Sequence, residues 1–210
     1  MVADPERDPL VIRDLAFLGG MAEPGGWRPP AALPEIAFAG RSNVGKSALL
    51  NRLVRRKAFA RVSRTPGRTR EINFFQVNDQ LVLVDLPGYG FARVARERRE
   101  QWRPLIEGYL GQSEQLQGVV QLLDVRRDPS DDDRTMLEFL GELGVPTIIV
   151  VTKTDKLGAA AATVRIDELA RSLALSEDQI ISFSAVTGRG RNELASAIVD
   201  LLSQPSWREA

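Results

Sequence analysis

The residues best equipped for chemistry stand between Gly40 and Ser47, where the chain reads GRSNVGKS. This spacing matches GxxxxGK[ST], a loop that holds nucleoside triphosphates when it joins a strand to a helix. Gly40 and Gly45 let the backbone curl so that successive N–H groups point at phosphate oxygens, where a Cβ would obstruct them. The helix expected to begin near Lys46 aims its N-terminal dipole at the same anion. Lys46 then neutralises the β and γ phosphates, and the Ser47 hydroxyl binds Mg²⁺.

Such a loop alone leaves ATPases, kinases and GTPases open. The sequence TKTD, Thr152 to Asp155, follows the apolar run VPTIIVV. An aspartate there accepts two hydrogen bonds, from N1–H and the exocyclic amine of guanine, and adenine offers no matching pair. The aliphatic stem of Lys153 covers one face of the ring. In SFSAVTGRG, the N–H of Ala185, held by Ser184, meets the guanine carbonyl. Order and spacing after a phosphate loop make these short signals specific for guanine.

Two segments can sense the γ phosphate. DLPG, Asp85 to Gly88, ends the run LVLVDL, which lets Asp85 hold Mg²⁺ through water and the Gly88 N–H touch the γ phosphate. Thr69, within TPGRTR, is the expected second hydroxyl for Mg²⁺, with Thr65 competing for the role. Loss of the γ phosphate releases both loops, which is a switch. Tyr89 follows Gly88 where many GTPases carry a water-orienting glutamine, and the chain has no histidine to replace it. Intrinsic hydrolysis is therefore expected to be slow. The side-chain oxygen of Asn43 is positioned to help hold K⁺ beside the phosphates, supplying positive charge there. Lys46, Asn43, Thr69 and Gly88 are the expected catalytic set, and Ser47, Thr69 and Asp85 the metal set.

The elements that must position these residues follow from the apolar pattern. EIAFAG reads as a strand, and KSALLNRLVRR as a helix with Leu49, Leu50, Leu53 and Val54 on one face. INFFQV and LVLVDL form a hairpin through Asn78, Asp79 and Gln80, because Asn and Asp tolerate left-handed turns. Next comes a charged helix from about Val94 to Leu110. Strands GVVQLLDV, VPTIIVV and QIISFSA then alternate with helices DDDRTMLEFLGEL, VRIDELARSLAL and NELASAIVDLL. The fold class is α/β: a six-stranded, mostly parallel sheet with one antiparallel strand and helices on both faces. Residues 1–34, rich in Pro and Gly, read as an extended arm in which VIRDLAFL forms an edge strand or a short helix. Residues 35–204 form the nucleotide domain, and 205–210 a tail.

At 210 residues and 43% apolar, the chain can build one sizeable core. It contains no cysteine, which excludes disulfides and thiolate chemistry. No apolar run is long enough for a membrane span, and no secretory leader is visible, so the expectation is a cytoplasmic protein without membrane contact, and a monomer. Net charge is zero, yet residues 41–70 hold ten basic side chains and no acidic one, leaving minus ten for the other 180 residues. That asymmetry points to a polyanionic partner.

GRSNVGKSALLNRL, TPGRTREINFF, LVDLPGYGFARV, QWRPLIEGYL, LLDVRRDPS and VVTKTDKL together resemble the EngB group of bacterial GTPases, within the TrmE-Era-EngA-EngB-septin-like superfamily. The resemblance runs from about Leu33 to the C-terminus. It implies a Ras-like fold and Mg²⁺ held with GTP or GDP. It also implies nucleotide contacts from Gly40, Arg41, Ser42, Asn43, Val44, Gly45, Lys46 and Ser47, and from Gly67, Arg68, Thr69, Arg70 and Glu71. The remaining implied contacts are Asp85, Leu86, Pro87 and Gly88, then Thr152, Lys153, Thr154 and Asp155, and finally Phe183, Ser184 and Ala185. The implied role is assembly of the large ribosomal subunit, with its precursor RNA and proteins as partners, and a link to cell division and septation. The alternatives are a regulatory GTPase acting on protein partners in division without ribosome contact, and a metabolic P-loop ATPase or kinase.

Overall fold

Strands that are apolar at every position need cover on both faces, and the helices between them supply it. The computed structural model describes residues 8–30, 32–56, 71–89 and 96–209. The strands are β1 (Leu15–Met21), β2 (Glu35–Gly40), β3 (Ile72–Val77), β4 (Leu81–Asp85), β5 (Leu116–Asp124), β6 (Thr147–Thr152) and β7 (Ile180–Ser182). The helices are α1 (Lys46–Leu53), α2 (Arg96–Gln112), α3 (Asp131–Leu143), α4 (Ala159–Ser172) and α5 (Arg191–Leu202).

The sheet order is β1-β3-β4-β2-β5-β6-β7. Only β3 runs against the rest, pairing antiparallel with both β1 and β4, and the other neighbours are parallel. Every residue of β2 and β4 is buried. Ile36, Phe38, Leu83, Val120 and Leu122 face α1 and α5, meeting Leu49, Leu53, Leu194 and Ile198. Ala37, Val82, Val84 and Val119 face the other way, onto Leu105, Tyr109 and Leu110 of α2 and Leu140 of α3. Leu123, Ile149 and Val151 continue that second layer against Leu169 and Ala170 of α4.

The sheet has seven strands, one more than the six expected. The addition is β1, from the segment read as an arm. It covers the edge of β3 that would otherwise stay open, with Phe17 against Phe75 at 5.3 Å between ring centres. The turn residues Asn78 and Asp79 both take φ 52, the left-handed geometry expected of the hairpin. Asn78 also accepts from the N–H groups of Arg13 (2.7 Å) and Asp14 (3.0 Å), which fixes the entry to β1. At the other end of the chain, Trp207 donates to the carbonyl of Leu116 (2.6 Å), and Arg208 donates to those of Leu110, Gly111 and Ser113 (3.0 Å each).

One buried cation ties the N-terminal segment to the nucleotide helix. Arg191, at the start of α5, donates to the Leu53 carbonyl at the end of α1 (3.0 and 2.8 Å) and to that of Leu10 (2.9 Å), and pairs with Asp8. Arg191→Met keeps the volume but strands two carbonyls and a carboxylate. A loss of about 3 kcal/mol, the usual cost of breaking a buried pair, lowers Tm by roughly 6–12 °C for a chain of this size. Partial burial pushes the Asp8 carboxyl up, but its bonds to Arg191 and the Leu10 N–H outweigh this and hold it below its ordinary value. Its contribution is therefore present above the unfolded-state value and is lost as pH falls through the folded one. Calorimetry should find that part of the acid-side loss of Tm missing in Arg191→Met, and an unchanged Tm would contradict the assignment.

Candidate functional site

Because β4, β2, β5 and β6 are adjacent and parallel, the loops leaving their carboxyl ends meet along one edge of the sheet, where α/β proteins bind ligands. Those loops carry GRSNVGKS, DLPGY, DVRRD and TKTD, and the loop after β7 carries SAVTG.

The phosphate loop turns through Asn43 at φ 65 and Gly45 at φ 111, and Gly45 caps α1. A side chain at Gly45 would be strained by that backbone angle. Among the described residues, the N–H groups of Asn43, Gly45, Lys46 and Ser47 have no acceptor within the protein. They leave the first turn of α1 rich in donors that suit an anion. Lys46 is ion-paired with Asp85 at the end of β4, and both are largely buried. Ser42 donates from its N–H to the Tyr89 carbonyl (2.8 Å) and from its hydroxyl to that of Gly88 (3.0 Å). A Cβ on Gly88 would come within 3.1–3.2 Å of the Ser42 backbone, so this approach requires glycine. The loop carrying Asp85, Leu86, Pro87 and Gly88 is thus laid against the phosphate loop.

The base-side motif is fastened to the same loop. The Thr152 hydroxyl sits 2.7 Å from the Val44 carbonyl and 3.0 Å from that of Leu123. Lys153, at φ 62, sends its ammonium to the carbonyl of Asn43 and to the carboxylate of Asp124 (2.8 Å). Thr154 bonds the Phe183 carbonyl through its hydroxyl (3.1 Å) and its N–H (3.3 Å). The Ser184 hydroxyl donates to Asp155 (2.7 Å), and chiefly for that reason the Asp155 carboxyl is held below its ordinary value. Ser184 also accepts from the Thr187 N–H (3.2 Å), and Ala185 follows directly. Asp155 thereby stays an acceptor, with one oxygen taking the Ser184 hydroxyl and the other 3.5 Å from the exposed Lys156 ammonium.

Arg41 to Ser47, Asp85 to Gly88, Thr152 to Asp155 and Phe183 to Ala185 are brought together along this edge. Glu71 immediately precedes β3. Gly67, Arg68, Thr69 and Arg70, with the competing Thr65, lie outside the described residues. The hydroxyl of Ser47 and the carboxylate of Asp85 are hard oxygen donors suited to Mg²⁺. Among the described residues no cluster of three or more His, Cys, Asp or Glu could cage a metal alone, which fits an ion that completes its shell with phosphate oxygens and water.

Three participants escape sequence reasoning. Asp124 anchors Lys153, and its only sequence signal is an acid ending the apolar strand LLD. Gln121 and Asp133 hold Tyr89: the phenol donates to Asp133 (2.9 Å) and accepts from Gln121. Burial first, then the Asp133 carboxylate, push the phenol well above its ordinary pKa, so it remains a proton donor. Asp133 is itself held by the N–H (2.9 Å) and hydroxyl (2.7 Å) of Ser130 in the capping box of α3. The residue after Gly88 thus points its polar group into the protein.

The comparisons with known proteins agree with this geometry. Residues 35–153 match the family model described as "50S ribosome-binding GTPase". The "Probable GTP-binding protein EngB" of Gemmatimonas aurantiaca is 64% identical over 199 residues, covering 95% of this chain and 98% of the relative. That of Syntrophus aciditrophicus is 50% identical over 189 residues, covering 90% and 95%. Among solved structures, a "probable GTP-binding protein engB" superposes with TM-score 0.67 at 28% identity, covering 84% of this chain and all of that one. Era in complex with MgGDPNP and a segment of 16S ribosomal RNA superposes with TM-score 0.66 at 26% identity, over 82% of this chain and 58% of that one.

Tyr89→Phe should separate structure from chemistry. Leaving Gln121 and Asp133 buried with one partner fewer costs about 1–3 kcal/mol in denaturant unfolding. GTP turnover per folded molecule should stay within roughly twofold, because the phenol supplies no group to the reaction. A turnover loss of a hundredfold would contradict this. With a phosphate loop, a guanine-type motif, the family model matched over residues 35–153 and a relative 64% identical over nearly its whole length, the chain belongs to the EngB family of GTP-binding proteins and is a Ras-like P-loop GTPase.

Proposed function

We propose that this GTPase is a slow, Mg²⁺-dependent switch whose GTP form engages precursors of the large ribosomal subunit, supporting subunit assembly and, through it, division and septation. The observation that carries the ribosomal part is the charge segregation: ten basic residues and no acidic one between Arg41 and Arg70, in the stretch that contains the phosphate loop and α1. The matched family's description as ribosome-binding, and Era's capture with ribosomal RNA, point the same way. A polyanion is the partner such a surface attracts.

In the mechanism, the free N–H groups of Asn43, Gly45, Lys46 and Ser47 and the Lys46 ammonium receive the β and γ phosphates, Lys46 exchanging Asp85 for phosphate oxygen. Ser47 and Thr69, and Asp85 through water, would hold Mg²⁺, which would neutralise charge on the phosphates. The Gly88 N–H and Thr69 read the γ phosphate, and Asp155, with Ser184 and Ala185, reads guanine. Water attacks the γ phosphorus and GDP leaves with the γ phosphate released. Tyr89, the residue after Gly88, turns its phenol to Asp133 and Gln121 and does not orient that water, so turnover waits on added positive charge. Asn43 with K⁺ is the proposed source, and turnover should be several-fold faster in K⁺ than in Na⁺ buffer. Equal rates in the two, with and without ribosomes, would remove Asn43 from this role.

Ser184→Ala deletes the donor that holds the Asp155 carboxyl low. Its pKa then rises toward the ordinary carboxylate range. Guanine binding needs the carboxylate, so GDP affinity should begin to fall at higher pH in the variant than in the parent as titration proceeds from pH 6 to pH 4. Superimposable profiles would contradict the pairing. For the partner, GTP-loaded protein should co-sediment with large-subunit precursors more strongly than GDP-loaded protein, with a steep decline as salt rises. Equal co-sedimentation in both states would contradict the switch, and none at moderate salt would favour protein partners in division.

A further inference from the structure

A groove of about 1070 Å³ borders the nucleotide edge at Ala185 and runs between the C-terminal part of α1 with the residues after it and the turn from Ala185 into α5. Arg52, Arg55 and Arg56 line one side, Val186, Asn192 and Glu193 the other. The charge within it is poorly compensated. Arg52 donates to the neutral Val186 carbonyl (2.6 Å) and Arg56 to the neutral Arg13 carbonyl (3.5 Å). Among the described residues Arg55 lies 3.3 Å from the Asp8 carboxylate but remains 59% exposed, and that one carboxylate is shared with Arg191, which also lines the groove. Among the described residues no aromatic side chain lines the groove. Guanidinium forks gathered on one side of a groove suit phosphate oxygens.

Arg52 belongs to this groove and to the guanine-reading loop at once. Its guanidinium rests against Gly188, which takes φ 86; a Cβ there would lie 3.4 Å from three guanidinium atoms. Its hold on Val186 is one residue from Thr187, whose N–H bonds the same Ser184 hydroxyl that donates to Asp155. Its Nε is buried without a partner, a donor left over from the contacts the protein supplies.

We propose that the groove between α1 and α5 binds the phosphate backbone of RNA, and that Arg52 couples its occupancy to the guanine-reading loop. Phosphate drawn to Arg52 competes with the Val186 carbonyl, loosens the turn that supports Ser184 and Asp155, and so speeds nucleotide release. By linkage, nucleotide and RNA affect each other's affinity equally. This assignment rests on the RNA-facing reading above and deepens it by naming the site.

The test uses the GDP-loaded full chain and a fluorescein-labelled uridine 20-mer RNA, with anisotropy read over a series of salt concentrations. The Arg55→Glu/Arg56→Glu variant should bind RNA at least about tenfold more weakly with a shallower salt dependence, while its GDP affinity without RNA is unchanged. Glu193→Gln removes the groove's acid and should bind RNA roughly two- to threefold more tightly, a gain that misfolding cannot imitate. RNA should speed release of fluorescent GDP several-fold from the parent but not from Arg52→Lys. RNA affinity untouched by all three groove substitutions overturns the site, and release unaffected by saturating RNA overturns the coupling. Competition by polyglutamate as effective as that by unlabelled RNA would assign the groove to an acidic protein instead. Groove variants that still co-sediment with precursors in GTP overturn the groove alone, whereas absence of co-sedimentation by the parent chain overturns the broader reading.

Discussion

The nucleotide edge depends on a cross-loop clasp, in which the Lys153 ammonium joins the Asn43 carbonyl of the phosphate loop to the Asp124 carboxylate at the end of β5. A parallel sheet delivers its loops to one edge but does not fix their spacing. Lys153 does so from a left-handed backbone position, which costs a side-chain-bearing residue about 1–2 kcal/mol and persists only when the surroundings enforce it. Burial pushes the Asp124 carboxyl up, but hydrogen bonds from Arg126 and Lys153 outweigh this and hold it well below the usual carboxylate range. The Asp124 carboxylate therefore stays ionised throughout the neutral range.

From that clasp the remaining geometry follows in both directions. At the phosphate loop, Ser42 bonds Gly88 and Tyr89, so the loop after β4 and the phosphate loop form one unit. Asp133 and Gln121 anchor that unit through Tyr89, placing the start of α3 behind the switch strand. On the base side, Thr154 and Phe183 lock TKTD to the loop after β7, which brings Ser184 onto Asp155. Phosphate and base recognition are thus mechanically continuous. A nucleotide that engages both ends meets a largely preorganised site, which saves part of the ordering cost of binding.

Much of this was legible from sequence because it is local. The strands β2 to β6 are apolar runs bounded by turn residues, and α3 has its capping box in SDDD, so its limits coincide with the apolar pattern. The phosphate loop declares itself through two glycines, a lysine and a serine at fixed spacing. β1 was ambiguous because LAFLGGM holds two glycines and is half exposed, and only the open edge of β3 decides that it is a strand. Arg191, Asp124 and the partners of Tyr89 were illegible for a different reason. Their roles come from contacts between residues far apart in the chain, such as Arg191 with Leu10 and Asp124 with Lys153. Nothing in their immediate neighbours distinguishes them from ordinary surface charges.

The central claim is that Asp155, held by Ser184 beside a phosphate loop, selects guanine. Xanthine carries a carbonyl where guanine carries its amine, and an asparagine can accept from N1–H while donating to that carbonyl. The direct measurement is competitive binding of GDP and xanthosine diphosphate to the parent chain and to Asp155→Asn. The parent should prefer GDP by at least about a hundredfold, and the variant should reverse the preference. A variant that still prefers GDP as the parent does would contradict the account.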